Sequence, residues 1–191
     1  MSTATRISAV EFERMIDAGV FVAEDGSDSR KMELILGELR EQISPPNPPH
    51  EGAVDWLTRW SCKVTDESKV VVRVQNTIGI PEFDSVPLPD LAWMIAAKNF
   101  RKQRPQPDDV LLVVEVSDTS LRYDLGPKAE LYAQAGLADY WVVDLNALTL
   151  HIHREPVDGK YTNVTRAAVG QSISPLAVPD VKLELSELFA Q

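Results

Sequence analysis

One cysteine and three histidines are the whole stock of thiol and imidazole metal ligands in this 191-residue chain. Cys62 has no partner for an internal disulfide, and a cysteine-rich zinc site is excluded. Within WLTRWSCKV, the expectation for Cys62 is a small buried side chain. No apolar run approaches the roughly 20 residues that cross a bilayer. The start, MSTATRISAVEFERM, lacks the basic segment and apolar core of a secretion signal. A reducing cytoplasm, without membrane contact, is the expected location. Positive charge is scarce as well: 19 Lys and Arg against 29 Asp and Glu leave a formal charge of −10. That balance disfavours a broad, non-specific hold on a polyanion. Internal repeats, a glycine-rich phosphate loop, a dinucleotide fingerprint and a zinc-finger spacing are all missing. Ser117, His50 and Asp144 supply the residue types of a hydrolase triad, but nothing in their spacing specifies one.

What is present is the composition of an ordinary globular protein, 44% hydrophobic and 25% charged. It can bury a sizeable core and is expected to form a single domain over 1–191. SAVEFERMIDAG reads as a short helix, with Ser8 capping its start and Gly19 its end. AEDGSDSR reads as a turn or loop. MELILGELREQIS reads as a hairpin around Gly37. PPNPPH cannot extend a strand ladder and is expected to be a rigid connection. The helix after it carries Val54, Leu57, Trp60 and Ser61 at helical spacing. KVVVRVQNTIGI and LAWMI read as strands. VLLVVEV, with one charge in seven residues, reads as a central strand covered on both faces. In LGPKAELYAQAG, Pro127 suits a first helical turn and Gly136 a C-terminal cap. DYWVVDL and the segments after it read as further strands, with His151 and His153 on one face of an expected edge strand. VKLELSELF reads as a short strand or turn entering a terminal helix.

The chemistry gathers on three residues. Asp90 follows PLP directly in front of the LAWMI strand, and Glu115 interrupts an apolar run where a hydrocarbon side chain is expected. An unpaired buried carboxylate is costly, so Glu115 is at the sheet margin, ion-paired or bound to a cation. Lys128 lies on the helix face that turns inward, as an ion pair or a charge at the helix start. Two strand-anchored carboxylates can share a divalent cation, and an ammonium beside them can orient water or neutralise phosphate charge. Lys98, Arg101, Lys102 and Arg104 in KNFRKQRP form a basic cluster that could contact phosphate or simply occupy an exposed loop.

The ordered segments MELILGEL, ISPPNPPH, PLPDLAWM, LLVVEVSDTS, YDLGPKAELYAQAGLADYWVVDL and LELSELF together resemble the large bacterial Uma-two family of restriction-endonuclease-like proteins. That family lies within the PD-(D/E)XK nuclease superfamily. The resemblance implies an α/β fold with a restriction-endonuclease-like mixed β-sheet flanked by helices, with additional β-hairpins. It implies Asp90 as the acid of the proline-aspartate element and Glu115 as the acid of the next strand. The usual third-motif lysine, two residues beyond the glutamate, is replaced here by Ser117, and its function is matched by Lys128. Glu38 is expected in the catalytic set, with Glu33, His50, Ser117, Asp124 and Tyr132 in support. The implied activity is hydrolysis of DNA phosphodiesters by metal-activated water, with Asp90 and Glu115 holding Mg²⁺ or Mn²⁺. A non-catalytic nucleic-acid-binding or structural protein with a degenerate nuclease core is the alternative, and a metal-free hydrolase a third. A homodimer, favoured by Trp56, Trp60, Trp93 and Trp141, would provide two cuts on opposite strands.

Overall fold

The computed structural model describes residues 6–22, 31–41 and 47–190. AEDGSDSR and the start of ISPPNPPH lie outside them. Helix α1 (Ala9–Asp17) begins as expected at Ser8, whose hydroxyl accepts the Glu11 N–H while the Glu11 carboxylate accepts the Ser8 N–H. This reciprocal box satisfies two otherwise orphaned donors. Strands β1 (Met32–Ile35) and β2 (Glu38–Glu41) form the hairpin. Its two-residue turn places Leu36 and Gly37 at positive φ, the geometry that matches the right-handed twist of the flanking strands.

Helix α2 (Pro48–Val64) starts earlier than the sequence reading had it. Asn47 is the N-cap, its side chain accepting the His50 N–H, and two prolines occupy the first helical positions. A missing N–H costs nothing there, so the end of the proline segment is helix and not connection. Val54, Leu57 and Ser61 are buried along its inner face. Cys62, one residue further round, is exposed, contrary to the expectation of burial.

The main sheet has six strands, β3 (Val70–Val74), β4 (Leu91–Ile95), β5 (Val110–Ser117), β6 (Asp139–Asp144), β7 (Thr149–Val157) and β8 (Lys160–Ala168), in that spatial order. Only β5 and β6 are parallel; every other pairing is antiparallel. Between β5 and β6 run α3 (Leu121–Tyr123), a π-helical turn (Asp124–Lys128) and α4 (Ala129–Gln134). Pro127 therefore sits inside this helical segment and not in its first turn. A proline removes one i→i−4 hydrogen bond, and a π-turn is one way to accommodate the loss. Gly136, at φ +75°, ends the segment. Strands β9 (Ser172–Ile173) and β10 (Leu183–Glu184) pair with each other, and α5 (Leu185–Leu188) follows.

β5 is central and buried on both faces. Leu112, Val114 and Val116 pack with Ala53, Val54 and Leu57 of α2 and with Leu185 and Leu188 of α5. Val113 packs on the other face with Ala129, Leu131 and Tyr132 of α4. Trp93 and Trp141 are wholly buried in the α2-side core, so they serve packing. His151 and His153 lie on an internal strand, because β8 pairs outside β7; His153 is buried between Tyr140 and Tyr161. Lys98 is tied to Asp109 at 2.6 Å and Arg104 to Glu13 at 2.6 Å, so half of the basic loop cluster holds the loop to its surroundings.

Candidate active site

Glu115 is on the α4 face of β5, where the hydrocarbon pattern breaks. Its Oε1 accepts hydrogen bonds from Lys128 Nζ at 3.0 Å and from the Tyr132 hydroxyl at 3.2 Å. The π-turn and the start of α4 aim both donors at the strand. Lys128 Nζ is also 3.3 Å from Glu33 Oε2 and 3.8 Å from Asp124 Oδ1. Asp124 in turn accepts from the hydroxyls of Ser117, at 2.7 Å, and Ser120. Asp90 lies just ahead of β4, beside the C-terminal end of β5 because the two strands are antiparallel. Its Oδ2 accepts the Val116 N–H at 2.9 Å and meets His50 Nε2 at 3.3 Å.

Eight expected residues are thus joined through these contacts into two adjoining sets. One holds Glu33, Glu115, Ser117, Asp124, Lys128 and Tyr132; the other joins Asp90 to His50 and, through the Val116 amide, to β5. Glu38 is the exception. It stands opposite Ile35 at the turn of the hairpin and is exposed, so the acid that reaches Lys128 from this hairpin is Glu33. A readable signal favoured Glu33: it interrupts the apolar strand MELI as Glu115 interrupts VLLVVEV. Leu88 donates its N–H to Glu33 at 3.3 Å, and paired backbone hydrogen bonds between Leu34 and Val86 dock the hairpin on the segment that leads to Asp90. Two neighbours escaped the sequence reading altogether. Tyr123 presents its ring 6.0 Å from Lys128 Nζ, and Arg40 lies over that ring.

Charge distinguishes this cluster from the other buried acids. Asp139 is matched by Arg154 at 2.8 Å and by N–H donors from Trp141 and Leu176. Asp109 has Lys98, and Asp144 accepts the amides of Asn146 and Ala147. In the cluster, by contrast, Glu33, Glu115 and Asp124 share one lysine, and Asp90 beside them has His50; all four carboxylates are at least nine-tenths buried. The protonation equilibria reflect the imbalance. Burial pushes the Glu115 carboxyl well up, helped by Asp124, Asp90 and Glu33 and opposed by Lys128. Burial pulls Lys128 down, but the charges of Glu115, Glu33 and Asp124 outweigh it and leave the ammonium held well above its usual range. Burial also raises Asp90, yet the hydrogen bond and charge of His50, the Val116 amide and Lys128 hold it below the usual carboxylate range.

A divalent cation fits this donor set. Among the described residues no group of three or more His, Cys, Asp or Glu forms a cage. Mg²⁺ does not require one, because one or two carboxylates with water and phosphate oxygens complete its shell. The contacts above fall on Oδ2 of Asp90 and Oε1 of Glu115, and the second oxygen of each takes no part in them. The all-oxygen set and surplus negative charge suit a hard cation.

The comparisons agree with this architecture. A crystal structure from Anabaena variabilis ATCC 29413, described as "a putative nuclease belonging to DUF820", superposes with a TM-score of 0.72 at 13% identity. The match covers 96% of this chain and 98% of that one, and at this identity it shows the shared fold. No curated protein matches the sequence. No helix of the described residues is long and apolar enough to cross a membrane. The Uma2 family, described as "Putative restriction endonuclease", matches residues 10–186, and with nearly the whole length covered the chain belongs to that family.

Proposed function

We propose that this protein is a metal-dependent endonuclease that hydrolyses DNA phosphodiester bonds. The observation that carries the reading is the surplus of buried negative charge: three carboxylates on one ammonium, with a fourth, Asp90, beside them on His50, in a family described as "Putative restriction endonuclease". Buried like charges are costly unless a cation compensates them. Asp90 and Glu115 would hold Mg²⁺, with Mn²⁺ as a substitute. When bound, the ion supplies Lewis acidity that polarises the phosphate and acidifies water.

The chain's own residues do the rest. His50 and the Val116 amide fix the Asp90 carboxylate in one orientation. Tyr132 and Lys128 fix that of Glu115. Lys128, held as an ammonium, steers water toward phosphorus and offsets charge that develops on the phosphoryl oxygens. Water adds to phosphorus and one P–O ester bond breaks, leaving a phosphomonoester and a hydroxyl. Glu33 and Asp124 hold Lys128 in place. The reaction needs no covalent intermediate on the protein.

The test is cleavage of labelled linear, supercoiled and single-stranded DNA with Mg²⁺, Mn²⁺ or EDTA, using wild type beside Asp90→Asn and Lys128→Ala. Metal-dependent cuts are expected for wild type alone, with Asp90→Asn losing metal binding by calorimetry while its circular dichroism is kept. Unchanged metal-dependent cleavage in Asp90→Asn would sink the assignment. A folded wild type that neither binds Mg²⁺ nor cuts would favour a non-catalytic scaffold.

A further inference from the structure

Arg40 stands directly opposite Glu33 in the β1–β2 ladder, but Glu33 is engaged by Lys128. The guanidinium of Arg40 instead lies 3.8 Å from the centroid of the Tyr123 ring. Arg40 is exposed, and no carboxylate among the described residues pairs with it. A guanidinium stacked on a ring keeps its in-plane N–H edges free for a planar, bidentate acceptor. The same ring has Lys128 Nζ 6.0 Å from its centroid, and Tyr123 immediately precedes the π-turn that carries Asp124 and Lys128. One aromatic ring therefore fixes Arg40 relative to the candidate active-site lysine. Docking of the hairpin through Leu34 and Val86 fixes it from the other side.

We propose that Arg40, held on Tyr123, binds a phosphodiester of the DNA strand that enters the site, next to the one cleaved. The inference rests on the nuclease reading and adds to it the residue that grips the backbone. Arg40 is the contact residue and Tyr123 a positioning residue that acts through its ring. The chemistry recognised is phosphate, so the contact is independent of base sequence.

The experiment is fluorescence anisotropy of a labelled duplex oligonucleotide with Ca²⁺ in place of Mg²⁺, repeated across a range of NaCl concentrations. Arg40→Gln is expected to weaken binding about tenfold and to make the slope of log K against log salt shallower by about 0.9, the signature of one lost phosphate contact. Arg40→Lys restores the slope but only part of the affinity. Tyr123→Phe keeps both, because the ring suffices as a platform, whereas Tyr123→Leu loses affinity although every charge remains. Lys160→Gln, at the exposed start of β8, serves as the charge-matched control and leaves binding unchanged. Wild-type affinity and slope in Arg40→Gln, with wild type binding and cutting DNA, would overturn the proposal and leave the nuclease reading standing. Failure of folded wild type to bind or cut DNA overturns both.

Discussion

Lys128 lies within ion-pair distance of Glu115, Glu33 and Asp124, and all four side chains are almost fully withdrawn from water. Removing one partner of a buried ion pair is strongly destabilising, because the charge left behind has lost both water and its counterion. Lys128→Met leaves the cluster with carboxylates alone and is expected to cost about 3 kcal/mol or more in urea unfolding with EDTA present. Glu33→Gln removes a surplus negative charge while keeping an acceptor for the Leu88 amide, so it should cost less than Lys128→Met. The reverse order of the two variants would contradict the picture of excess negative charge. Residue by residue, most of the side chains that meet in this cluster carry a signal in the sequence. Glu115 stands out as a charge in an apolar run, Lys128 as a charge on an inward helix face, and Asp90 by its place between PLP and a strand. Glu33 and Glu38 belong to the same hairpin signature, and only the strand register puts Glu33 inward and Glu38 at the exposed turn, outside the cluster. Arg40 and Tyr123 left no sequence signal, since their contact joins segments more than 80 residues apart.

At the scale of elements, α2 matters most because its first turn carries His50, which holds Asp90. The helix is pinned to the sheet by aromatic packing and one buried hydrogen bond. Trp56 and Trp60 stack with ring centroids 6.4 Å apart, and Trp60 and Trp93 at 5.6 Å. The Trp93 indole N–H donates to Ser61 Oγ at 2.9 Å, and both residues are buried. Ser61→Ala would strand that indole donor, with an expected loss of about 1–3 kcal/mol in denaturant unfolding. A loss within error of zero would mean that the indole finds another acceptor. The second decisive element is the crossover between the parallel strands β5 and β6. Its π-turn brings Lys128 and Tyr132 onto Glu115. Pro127 in LGPKAEL points to a helix start here, whereas tertiary packing lets the helical segment begin at Leu121 and pass through Pro127. Periodicity identified the element and missed its irregularity, because a π-turn has no characteristic spacing of apolar residues.

At the scale of the molecule, stability should depend on pH through a group that the proposed chemistry does not use. His153 pairs with Tyr140 and Val164 across β7's neighbours and is packed against Tyr140 and Tyr161. Burial, with His151 nearby, pulls its pKa down to about 4 from the ordinary 6.5. The unfolded chain therefore binds a proton below pH about 6.5 that the folded chain refuses until about 4. Stability contributed by neutral His153 is complete above that window and is lost as pH falls through it, at no more than about 1.4 kcal/mol per pH unit for one proton. His153→Phe keeps an aromatic ring and should flatten this part of the pH profile of the urea midpoint. An identical profile in wild type and variant would assign the acid sensitivity to other groups. The same scale explains how an acidic chain can be read as a DNA enzyme. Arg154, Lys98 and Arg104 are engaged with Asp139, Asp109 and Glu13, so a backbone grip must come from a few cations placed beside the site.

The sequence by itself determined most of the strands and that β5 is central. A short, valine-rich apolar run between turn signals reads as a strand covered on both faces, and a carboxylate within it is at the sheet margin, paired or bound to a cation. It also determined family membership, because several weak segments recur in fixed order. Tertiary structure decided what spacing cannot encode: which hairpin acid turns inward, where the proline-rich segment becomes helix, that β7 is internal, and that Cys62 faces out. Each of these depends on partners distant in the chain, whose packing and hydrogen bonds outweigh local preference. The surplus charge around Lys128 is of the same kind, since it exists only once β1, β4, β5 and the crossover segment bring their carboxylates together.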